Sequence, residues 1–139
     1  MWNIEAEIEE ALGELNLPNA DFIKCPKDQA EKIVKAAMNR YVEGNPRSWW
    51  LSLKKPHRLY DHDFPCDYIK DYVPNKESRC FWIPETEKMD LDVYECEINA
   101  IPKILRLTPP FEYYVIGKNL DWIIIETDHG LLWVIDETK

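Results

Sequence analysis

His57, Asp61, His62 and Asp63 form the densest group of side chains in this chain that could do chemistry. Imidazole and carboxylate are the ligands that zinc and other divalent metals take, and a site with an open position turns bound water into a nucleophile. Glu126, Asp128 and His129 could join them from further along the chain. The chemistry implied is metal-dependent hydrolysis. The spacing H-x-x-x-D-H-D, however, does not fix two ligands on one helix face as H-E-x-x-H does, and a wet loop rich in Asp and His accounts for it equally well. Asp128-His129-Gly130 also suits a tight strand connection, where Asp and Gly are the residues the turn requires. Cys66 shares the segment with both imidazoles, so a thiol and a base could meet there, but no spacing marks the pair. The four glycines, at positions 13, 44, 117 and 130, are not grouped, which excludes a phosphate-cradling loop. No catalytic set emerges, and no cofactor is expected.

The elements that would position these groups point to an α+β domain spanning residues 1–139, a mostly antiparallel sheet packed against N-terminal helices. Ile4, Ile8, Ala11, Leu12 and Leu15 recur at helical spacing, with Asn3 as a cap and glutamates around the outside. A second helix runs from Pro26 to about Tyr41 on the stripe Ala30, Ile33, Val34, Ala37, Met38 and Tyr41, and is the expected roof of the sheet. Three apolar runs, Phe111 to Ile116, Trp122 to Ile125 and Leu131 to Ile135, make a C-terminal meander. The middle run is apolar at four successive positions, so both of its faces should be covered. Arg79 to Ile83 and Leu91 to Glu97 read as further strands. Ile98 to Leu107 reads as a short helix with Pro102 near its first turn. Residues 54 to 76 read as an irregular excursion with a helical turn around Cys66 to Tyr72.

Charge narrows the partners. Residues 1 to 23 carry six acids and no basic groups, residues 24 to 60 nine Lys or Arg against three acids, and residues 61 to 139 seventeen acids against eight basic groups. A net charge of −9 repels a phosphate backbone, so nucleic acid is not an expected partner. The apolar runs are too short for a bilayer, no signal segment leads the chain, and the four cysteines form no C-x-x-C pair. A soluble, reduced, cytoplasmic protein without membrane contact is the expectation.

Six tryptophans exceed what a core of this size needs, and the pair Trp49-Trp50 cannot easily turn both rings into one pocket, whether on a strand or on a helix. These features point to protein recognition. Trp49, Trp50 and Trp82 are the candidate anchors, and Glu85, Glu87, Asp90, Asp92, Glu95 and Glu97 the candidate acidic face. Packed tryptophans and solvated loop acids are the plainer account of the same residues.

Ser48-Trp49-Trp50 in mid-chain, and Glu112-Tyr113-Tyr114 followed by Trp122, Glu126 and His129, resemble the pattern of a family of small acidic bacterial proteins. That resemblance covers about a third of the chain, and where the family pattern often has paired histidines this chain has Asp128-His129. Proteins of this build are similar to the immunity proteins of bacterial toxin systems. The resemblance implies a bacterial origin and this kind of fold. The acidic charge, the surplus of aromatic side chains and the lack of a catalytic set point to a non-catalytic binding domain, in its most concrete form an immunity protein for a basic toxin. The alternative is a metal-dependent hydrolase using His57, Asp61, His62 and Asp63.

Overall fold

A computed structural model describes residues 3–86, 90–127 and 130–138. The chain runs α1 (Ile4–Leu15), β1 (Phe22–Lys24), α2 (Lys27–Tyr41), β2 (Arg58–Asp61), α3 (Ile69–Tyr72), β3 (Arg79–Pro84), β4 (Tyr94–Glu97), α4 (Ala100–Leu105), β5 (Tyr113–Gly117), β6 (Trp122–Glu126) and β7 (Leu131–Asp136). All seven strands form one antiparallel sheet in the order β1-β4-β3-β5-β6-β7-β2.

The C-terminal meander forms as its apolar runs require. β6 lies between β5 and β7, and Trp122, Ile123, Ile124 and Ile125 are all fully buried. Because successive side chains alternate across a strand, this needs a cover on each face. Ile8 and Ala11 of α1, Ile69 of α3, and Ile101 and Ile104 of α4 pack against Trp82, Tyr113, Trp122 and Ile124. Ala30, Ile33, Ala37 and Tyr41 of α2 pack with Trp49 against Ile83, Tyr114, Ile123 and Ile125 on the other face. Each isoleucine buried this way contributes roughly 1.5–3 kcal/mol relative to exposure. The roof foreseen in α2 is thus one of two, and α1 joins the short helices on the opposite side.

Local chemistry sets the helix ends. Asn3 Oδ1 accepts the Ala6 N–H at 3.1 Å and caps α1. Pro26 precedes the first turn of α2, and the Tyr41 hydroxyl at its far end donates to the Leu120 carbonyl at 2.7 Å, which ties the helix to the β5–β6 turn. Gly117, where β5 ends, is required by packing: a Cβ there would meet the Trp122 indole nitrogen at 2.3 Å.

Two short strands sit where no strand is expected. β1 and β2 are the sheet's edges, and β2 occupies part of the excursion between residues 54 and 76. Three of its four residues are exposed, so it carries no burial alternation and is held by its pairing with β7. Leu91 to Val93 lie outside β4, which is shorter than its alternating pattern suggests.

Candidate functional site

The register Pro84↔Tyr113↔Glu126 places three glutamates at one end of the sheet. Glu85 follows the last residue of β3, Glu112 precedes the first of β5, and Glu126 closes β6. Across this end lies the turn Trp49–Ser52, a single 3₁₀ helix. Its entry residue, Ser48, is buried and donates its hydroxyl to Glu85 Oε1 at 2.7 Å, with Glu112 Oε1 at 3.5 Å. Trp50 donates its indole N–H to Glu112 Oε1 at 3.3 Å. The Trp49 N–H donates to the Tyr114 hydroxyl at 3.2 Å, and the two rings stack at 4.1 Å. The backbone adds Glu85 N–H to the Glu112 carbonyl at 2.9 Å. Two carboxyl groups are thereby held together on one wall of a cleft of about 760 Å³, which Trp49, Tyr114, Met38 and Arg47 also line.

The electrostatics of the pair follow from that crowding. Burial comes first, and together with the neighbouring Glu112 it pushes the Glu85 carboxyl up to about 7, while the Ser48 hydrogen bond pulls the other way. Glu85 Oε2 is buried and has no hydrogen-bonded partner. A carboxyl crowded against a second acid favours a cationic donor, which would relieve the repulsion.

Of the nine candidate recognition residues, Trp49 and Glu85 line this cleft, and Trp50 reaches it through its hydrogen bond to Glu112. Trp49 is only 3% exposed and is a wall rather than a protruding anchor, whereas Trp50 is half-buried with its ring 5.6 Å from that of Trp133. Trp82 is fully buried among Phe22, Tyr94 and Tyr113, so the expected anchor is a core residue. The acidic face is tied up by cations. Glu95 meets Arg79 and Lys118, Glu97 meets Arg79, Asp92 meets Lys24, and Asp90 meets Lys27. Glu87 lies outside the described residues.

The metal-type residues do not converge. His57 stacks on Trp133 at 4.6 Å, while His62 stacks on Tyr68 at 3.8 Å and bonds the Tyr72 hydroxyl at 2.6 Å. Asp61 and Asp63 are exposed. Among the described residues no group of three His, Cys, Asp or Glu side chains could hold a metal ion. Asp128 and His129 lie outside those residues. Burial, then Glu126, pushes the Cys66 thiol up to about 11, so it stays protonated at neutral pH and is a poor nucleophile.

Residue pattern alone did not single out Ser48, Glu112 or Tyr114 as site residues. The signal was present in the two sequence clusters S-W-W and E-Y-Y, which become contact partners here: Ser48 and Trp50 reach Glu112, and Trp49 reaches Tyr114. Tyr113 adds the next link, donating its hydroxyl to Glu126.

Fold and cleft define an α+β domain with an antiparallel sheet between two helical layers and a paired-carboxyl cleft at one end of that sheet. The chain belongs to the family described as a family of unknown function (DUF6756), whose model matches residues 1–139. No curated protein and no solved structure matches it. Among the described residues no helix is long and apolar enough to cross a membrane.

Proposed function

We propose that this chain is a non-catalytic protein-binding domain that receives a cationic side chain of its partner in the cleft between Glu85 and Glu112. The observation that carries this reading is the carboxyl pair gathered by Ser48 and Trp50 on one wall of the cleft. A guanidinium fits the chemistry best. It is planar, offers donors to two carboxylates at once, and packs against aromatic walls such as Trp49 and Tyr114. Among the described residues that line the cleft, Arg47, itself exposed, supplies one positive charge beside the two acids. The concrete role we infer is an immunity protein of the bacterial cytoplasm that neutralises a basic toxin. The acidic balance of the chain supports it, as does the way its S-W-W and E-Y-Y clusters form one structural unit.

A capped arginine amide tests the cleft without a partner in hand. Titrated into the protein at pH 8, it should shift the Trp50 indole and the Glu112 amide saturably, and the double variant Glu85→Gln, Glu112→Gln should lose that response. An indole that stays put, or a double variant that responds like the parent, would refute the reading.

A further inference from the structure

A second cavity, of about 660 Å³, opens at the same end of the sheet and shares Phe111 with the first. Its apolar walls include Phe64, Pro65, Leu105 and Phe111. Phe64 is 70% exposed, the most exposed of the large apolar side chains described. Thr127 also lines the cavity; the residue is 2% exposed, yet its Oγ1 is buried with no hydrogen-bonded partner. A buried hydroxyl without a partner is unfavourable, and a ligand that supplies the missing bond recovers that cost.

Beside Thr127 stands Glu126. It lines the same cavity, and one of its oxygens accepts the Tyr113 hydroxyl. Burial raises the Glu126 carboxyl above its ordinary value against that hydrogen bond, so a cation nearby would stabilise its charge. Among the described residues, Asp63, Asp67 and Arg106 bring the other formal charges to the lining, and Arg106 is already engaged by Asp67. The lining therefore has an excess of negative charge, a free hydroxyl and apolar walls.

We propose that this cavity binds a small organic amine, with its ammonium held between Glu126 and Thr127 and its apolar body against Phe64 and Phe111. The carboxylate supplies the charge, the hydroxyl accepts an N–H, and the two rings bury the hydrocarbon part. This is a site separate from the Glu85–Glu112 cleft and does not rest on the partner reading given to that cleft.

Phenethylammonium is a suitable probe for the full chain, with 2-phenylethanol as its neutral counterpart, both followed by amide NMR. The amine should give saturable shifts at Thr127 and Phe64, and the alcohol should bind about tenfold more weakly. Thr127→Val and Glu126→Gln should each weaken the amine by about tenfold, while Thr127→Ser, which keeps the hydroxyl, should bind as the parent does. Glu85→Gln should leave this response unchanged. Shifts that never saturate, equal affinity for amine and alcohol, or full binding by Thr127→Val would each overturn the proposal. Shifts centred on Trp50 and removed by Glu112→Gln would do so too, since they would assign the amine to the first cleft.

Discussion

Ser48 reaches Glu85 and Glu112 with one hydroxyl, and that geometry gives the Glu85 carboxyl an unusual titration. Its folded value of about 7 exceeds the ordinary 4.5, so the folded protein holds a proton that the unfolded chain releases between those two values. Stability therefore falls as pH rises through this window, and the full penalty is in place above pH 7. Since the group is only half-buried, solvent screening limits the penalty to something on the order of 1 kcal/mol. Glu85→Gln, a neutral mimic of the protonated acid, should raise the melting temperature at pH 8 and leave it nearly unchanged at pH 4.5. A gain of equal size at both values would mean that repulsion is not its source. Ser48 is legible in the sequence only as part of the S-W-W cluster, and its role is not, because its partners lie 37 and 64 residues away. Spacing rules reach only neighbours on one element. A lone serine before two tryptophans carries no period.

The elements most legible in the sequence are those whose burial follows a period. α1 begins and ends where its apolar stripe does, at Ile4 and Leu15, and the unbroken run in β6 gives a strand covered on both faces. The edge strands were hidden for the converse reason: Ile23 in β1 and Leu59 in β2 are about half exposed, and each strand turns only one aromatic residue, Phe22 or Tyr60, toward the core. β2 exists because β7 offers it hydrogen bonds, a property of the partner strand rather than of its own residues. The β5–β6 hairpin is the element most sensitive to change. Gly117→Ala would drive a methyl group to within 2.8 Å of three atoms of the fully buried Trp122 indole. Overpacking of this kind costs about 1–3 kcal/mol, and here the upper end, because Trp122 is fully buried. Urea denaturation should show that loss with an unchanged m-value. A variant as stable as the parent would contradict the packing described.

At the scale of the whole molecule, charge is sorted by position. Acids on β4 and in the segment before it are matched with Lys24, Lys27, Arg79 and Lys118, and such exposed pairs contribute about 0–1 kcal/mol each. The end of the sheet where β3, β5 and β6 meet collects Glu85, Glu112 and Glu126 instead. Binding of the capped arginine amide should therefore be indifferent to Glu95→Gln with Glu97→Gln, changing less than twofold, but should weaken at least tenfold in Glu85→Gln with Glu112→Gln. Calorimetric titration of the two double variants checks this, and equal losses would return the binding face to β4. Most direct for the central claim is a carbon-13 NMR titration of the Glu85 and Glu112 side-chain carboxyls, run with and without saturating capped arginine amide. The paired-carboxyl cleft predicts a midpoint near 7 without the ligand and a clear fall with it, because a bound cation favours the ionised form. Two midpoints in the ordinary glutamate range, both unmoved by the ligand, would contradict it.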